Sequence, residues 1–110
     1  MDATNTAHIH LDSLLNADGF LYKPQTWTTA IASAIAHQDG LPELTHDHWV
    51  IIHALRDHYQ QFGAALPAFS HICNKHHLGK YCVDRLFRSE REAWRIAGMP
   101  DPGEEAKAYM

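Results

Sequence analysis

The chain has 110 residues, with thirteen acidic against nine basic side chains and a net charge of −4 at pH 7. A chain of this length makes one domain, burying roughly 65% of its unfolded surface, and its 45% hydrophobic and 20% charged content excludes a disordered polymer. The acidic balance argues against sequence-independent binding to nucleic acid.

Residues 1–7 are small and polar and are expected to fray. His8-Ile9-His10-Leu11 alternates polar with apolar, Asn16-Ala17-Asp18-Gly19 is a turn signal, and Phe20-Leu21-Tyr22 is a second apolar piece. A small β-hairpin over residues 8–22 follows from that pattern. Lys23-Pro24 marks a boundary. Beyond it, Trp27, Ile31, Ala34 and Ile35 predict a helix over residues 25–38, ended by Asp39-Gly40 and Pro42.

Thr45 is the expected N-cap of the longest helix, with Asp47 in its first turn and a stripe of Ile52, Leu55, Tyr59 and Phe62. Gly63 suits its C-terminal stop. Pro67 opens a third helix to Leu78, with Phe69, Ile72 and Cys73 inward, and a short helix from Lys80 to Phe87 follows a tight turn. Ser89-Glu90-Arg91-Glu92 has the form of a capping box opening a last helix to Ala97. Residues 101–110 read as a polar, mobile tail. The expected class is mainly α: a small N-terminal β-hairpin and about five helices in one domain spanning residues 1–110.

Metal, nucleotide and hydrolase motifs are absent from the sequence, and neither a cofactor nor an enzyme activity is expected. Cys73, His76 and His77 share one helical turn, yet a structural zinc site needs four ligands, so a buried thiol beside helix-end histidines is the preferred reading. His53 and His58 are expected as partly buried structural groups. The ten histidines in total make surface charge steeply dependent on pH. Two cysteines, Cys73 and Cys82, do not make a disulfide framework. Without a visible signal peptide or an apolar run of membrane length, the expectation is a cytoplasmic protein with reduced thiols, Cys82 inert in the core. The segment 67–87 suits a helix-turn-helix, with Lys80, Arg85 and Arg88 on the second helix opposed by Asp84.

Several ordered pieces resemble the DsrC/TusE family. They are Asp18-Gly19-Phe20-Leu21, Trp27, Ile35-Ala36 to Gly40, Leu44-Thr45 and His48-Trp49. Leu55-Arg56-Asp57-His58-Tyr59 with Phe62, then Pro67, Lys80-Tyr81 and Leu86-Phe87 continue the series. Ile96-Ala97-Gly98-Met99-Pro100-Asp101-Pro102 closes it, resembling the family's Ile-Ala-Gly-Leu-Pro-x-Pro.

The resemblance implies a small helical sulfur carrier, working with dissimilatory sulfite reductase or in the relay that thiolates tRNA wobble uridine. The family's chemistry sits on a C-terminal arm with a penultimate cysteine, and a second cysteine precedes Ile-Ala-Gly in DsrC. Here those places hold Tyr109 and Trp94, and Ser70 replaces an arginine common after the family's proline. Arg88-Ser89-Glu90-Arg91-Glu92 stands where the family has a longer Gly/Pro-rich loop.

The resulting expectation is an accessory protein with no catalytic residue, binding a protein partner of a sulfur-relay or sulfite-reductase system in a regulatory role. The candidate binding residues are Trp49, Arg56, Lys80, Tyr81, Arg85 and Arg95. No metal, membrane or nucleic-acid partner is expected. A helix-turn-helix DNA- or RNA-binding regulator is one alternative; a sulfur carrier using Cys73 or Cys82 is the other.

Overall fold

The computed structural model describes residues 10–110, and within them the chain is mainly helical. The expected frayed start, and His8-Ile9 of the expected hairpin, lie outside the described residues. Seven α-helices occur among those described: α1 (Leu11–Leu14), α2 (Thr29–Gln38), α3 (His46–Phe62), α4 (Phe69–Lys75), α5 (Cys82–Phe87), α6 (Glu90–Ile96) and α7 (Glu104–Lys107). They pack around one core containing Phe20, Ile35, Ile51, Ile52, Leu55, Phe87, Trp94 and Met99.

The N-terminal β-hairpin is not formed. Leu11, Leu14 and Leu15 lie at helical spacing and pack on the core from α1 and its C-terminal flank. Among the described residues, strand pairing is limited to a single antiparallel bridge, Leu15 to Leu21. The turn between them is nonetheless real: the Asn16 side-chain oxygen accepts from the Asp18 and Phe20 amides, at 2.9 Å each.

The first long helix starts later than proline alone suggests. Pro24–Thr26 makes one 3-10 turn, the chain extends through Trp27, and the Thr28 side chain then caps α2 by accepting from Ile31 N. Ser89 caps α6 in the expected manner, accepting from Glu92 N at 3.0 Å. On α3 the inward stripe is Ile51, Ile52 and Leu55. Phe62 is 62% exposed, because the last turn of this long helix overhangs the core.

Histidine burial matches expectation at His58 and differs from it at His53. His53 is exposed and His58 half-buried, whereas His48 is buried. His48 Nδ1 accepts from the Thr45 amide at 2.9 Å, which makes Nε2 the protonated nitrogen that donates to the Leu86 carbonyl at 2.8 Å. It thus replaces the usual acidic member of a capping box and ties α3 to α5.

Cys73 and Cys82 form a disulfide between α4 and α5, with Cα atoms 5.7 Å apart. The expectation of reduced thiols is therefore corrected. Spacing alone did not expose the bridge, since it depends on two short helices folding back across the Leu78-Gly79 turn to bring the Cα atoms within bridging range.

Two long side chains lock remote segments of the chain onto this frame. The Trp27 ring lies beneath the Arg56 guanidinium, 4.2 Å from ring centroid to Cζ, and its Nε1 donates to the Ile96 carbonyl at 2.9 Å. Arg56 in turn donates to the carbonyls of Ala97, at 2.8 Å, and Pro24, at 3.3 Å. Gly98, at φ +76°, passes so close beneath Trp27 that a Cβ there would lie 2.1 Å from the indole Cδ1. A Gly98→Ala variant is expected to lose about 2–4 kcal/mol of stability, combining backbone strain with overpacking, as read from the urea midpoint at unchanged slope.

Candidate functional site

The candidate binding residues divide into two groups. Arg56 and Arg95 turn inward. Arg95 sits among α6, α2 and the N-terminal turn: Nε donates to the Gly19 carbonyl at 2.8 Å, and Nη1 pairs with Asp39 and with Glu92 at 3.0 Å. Trp49 is half-buried on α3 with its ring tilted against His53. Lys80, Tyr81 and Arg85 are exposed around the start of α5. Arg85 donates to the Leu78 carbonyl at 2.7 Å and so braces the turn between α4 and α5.

Lys80 and Tyr81 line a groove of about 400 Å³ between the start of α4 and α5. Pro67, Phe69 and Val83 give it an apolar side, while Asp84 and Glu90 bring carboxylates to it. Tyr109 reaches the same groove from the C-terminal segment. Sequence reading had set Asp84 only against a DNA role and Glu90 only in a helix cap. Their convergence depends on the α5–α6 corner at Arg88, a non-glycine residue at φ +76°. A second groove, of about 630 Å³, runs between α3 and α4 and carries His53, His58, His71 and His76.

The closing segment, read from composition as a mobile tail, contains α7. Lys107 is only 7% exposed and pairs with Asp18, with Asp101 at 3.0 Å and with Glu104 at 3.1 Å. Those hydrogen bonds hold its ammonium above the ordinary lysine range. Asp101 is anchored from two more sides, accepting from the Gly103 amide at 2.8 Å and from the Asn16 side chain at 3.0 Å. The segment is therefore fastened to the 16–19 turn before it reaches Tyr109.

The sulfur atoms lie elsewhere. Cys73 and Cys82 are fully buried and bonded to each other, which leaves neither as a thiolate for a metal or a nucleophilic step. Trp94 is also fully buried, its Nε1 donating to the Pro100 carbonyl at 2.9 Å and its ring edge-on to Phe69. No group of three or more metal-ligating side chains occurs among the described residues.

One carboxyl is strongly perturbed. Burial, with a hydrogen bond shared with Asp39, pushes Glu92 from its ordinary 4.5 up to about 7, against the pull of Arg95. Below pH 4.5 the group is protonated whether or not the chain is folded. Between there and about 7 the unfolded chain releases its proton first, so stability falls as pH rises through that window. The Glu92→Gln variant should lack this component, flattening the urea midpoint between acid and neutral pH by the equivalent of about 1 kcal/mol relative to wild type.

Comparison with known proteins identifies the frame. The family described as DsrC-like protein matches residues 8–104. Sulfurtransferase TusE of Yersinia pseudotuberculosis is 32% identical over 97 residues, covering 79% of this chain and 87% of that protein. Its counterpart from Pectobacterium atrosepticum is 31% identical, covering 79% of this chain and 86% of its own. Among solved structures, the oxidized gamma-subunit of the dissimilatory sulfite reductase (DsrC) from Archaeoglobus fulgidus superposes with a TM-score of 0.70 at 33% identity, over 82% of this chain and 89% of that one. Allochromatium vinosum DsrC superposes with a TM-score of 0.68 at 28% identity, over 82% and 87% of the two chains. With the match spanning nearly the whole sequence and the helices arranged alike, the chain belongs to the DsrC-like family.

Proposed function

We propose that this chain is an accessory protein of a sulfur-relay or sulfite-reductase system, docking on a partner protein in the cytoplasm without carrying sulfur itself. The observation behind the reading is the state of its sulfur. The sequence has two cysteines, none of them in residues 83–110, and the two are joined to each other inside the core. A carrier must present a thiolate that a partner can reach, and attack on a disulfide needs access to one of its sulfurs.

The resemblance assigns the arm thiol to the place of Tyr109, whose phenol cannot form a persulfide, and a second thiol to the place of Trp94, an indole inside the core. In this reading the outward residues Lys80, Tyr81 and Arg85, with Trp49, belong to the docking face. Arg56 and Arg95 act as positioning residues that hold the chain ends beneath it. Docking by shape and charge survives the loss of transfer chemistry, and this is the basis for a regulatory, competitive role.

The test combines this protein with a cysteine-bearing family member, that carrier's partner enzyme and a persulfide donor. The chain is expected to gain no sulfur atom by intact mass under native conditions, and to raise the apparent KM of the partner for the genuine carrier without lowering kcat. A mass gain of one sulfur on the wild-type chain, lost on Cys73→Ser or Cys82→Ser, would establish transfer chemistry and overturn the proposal. So would the absence of any competition at excess protein.

A further inference from the structure

The groove between α4 and α5 has a chemistry of its own. Its apolar side is made by Pro67, Phe69 and Val83, and two tyrosines stand at it with most of their surface free, Tyr81 at 69% and Tyr109 at 78% exposed. The only lysine there, Lys80, is drawn over the Tyr81 ring, its Nζ 5.5 Å from the centroid. Asp84 and Glu90 supply two carboxylates, and neither has a cationic partner among the described residues. Burial and the charge of Asp84 both raise the Glu90 pKa, so the pair is under-neutralised where it stands.

We propose that this groove docks a basic, extended segment of a partner protein, with an arginine or lysine of that segment set between Asp84 and Glu90. The neighbouring apolar side chain of the segment rests on Leu66 and Pro67, above the buried Phe69 and Val83. The tyrosine rings supply flat faces on which a guanidinium or an aliphatic stem packs. Charge complementarity selects the occupant: the groove carries two carboxylates against one ammonium, and the whole chain is acidic at −4, so a basic segment is steered toward it.

The disulfide sets the width of the groove. Cys73 lies one turn beyond Phe69 on α4, and Cys82 stands between Tyr81 and Val83 on the opposite wall. The bond therefore ties the two walls to each other, and reduction removes that tie. Recognition by this groove deepens the docking reading above, but it is a binding event that needs no sulfur transfer, so the two proposals fail separately.

The probe is a fluorescein-labelled peptide of alternating leucine and arginine, titrated into the full chain at low salt and followed by anisotropy. A second peptide carries glutamate in place of each arginine. The basic peptide is expected to bind, weaken with added salt, and shift the amide resonances of residues 68–70 and 80–84; the acidic peptide is expected not to bind. Glu90→Gln and Asp84→Asn should each weaken the basic peptide by about fivefold to tenfold. Asp57→Asn, in the separate α3/α4 groove, should leave affinity unchanged. Reduction, or Cys73→Ser with Cys82→Ser in a variant that retains its helical circular dichroism, should also weaken it.

Resonance shifts confined to α3, undiminished binding by Glu90→Gln and Asp84→Asn, or equal binding of the acidic peptide would overturn the assignment. Self-association that Glu90→Gln abolishes, seen by sedimentation, would give the groove to a second copy and likewise overturn it.

Discussion

The structure depends on one stacked contact: the Trp27 indole held between the Arg56 guanidinium on one side and the Gly98 backbone beneath. Arg56 projects from the middle of α3 and uses its donors on the carbonyls that end two other segments, Pro24 before α2 and Ala97 after α6. Burial lowers the arginine pKa from its usual value, but the group remains charged, so each of those carbonyls keeps a charge-assisted donor. Trp27 closes the arrangement by donating to Ile96. Three remote segments of the sequence, at residues 24–27, 56 and 96–98, are thereby fixed to a single place beside α3.

Two further cations repeat this logic at the periphery. Arg95 joins the 16–19 turn to the end of α2, and Lys107 joins the same turn to the closing segment. Arg88 completes the set by donating to the Gly40 carbonyl at 2.9 Å, where α2 has run out of partners for its last carbonyls. In each case a long side chain reaches a backbone group or carboxylate more than forty residues away. These contacts give a modest apolar core defined ends.

This pattern explains what the sequence disclosed and what it hid. Local signals were legible: Gly63 ends α3, Ser89 caps α6, and Asn16 to Gly19 turns the chain, because each acts within a few residues of itself. Arg56 and Arg95, candidates for docking by sequence, turn inward to partners that are assembled by the fold and leave no local trace. The alternation at His8 to Leu11 pointed to a strand, yet Leu11, Leu14 and Leu15 carry the competing helical spacing, and packing onto the core favours it. His48 was detectable in principle, since Thr45-x-x-His48 is a capping box with imidazole in the acidic place. The groove was not, since its parts come from the start of α4, from α5, from the first residue of α6 and from the last turn of the chain.

The burial of Trp94 bears on how such a protein could change over evolutionary time. The indole fills space against Phe69 and holds the Pro100 carbonyl, so a cysteine at that place would leave a void and an unmatched acceptor. Large-to-small changes of this kind in a packed interior cost about 3–5 kcal/mol, a large part of the margin that keeps a small domain folded. Placing a thiol at position 94 would thus require prior repacking of the neighbouring helices, whereas position 109, out in solvent, imposes no such barrier. Packing closes position 94 to a thiol by single substitution and leaves position 109 open to one.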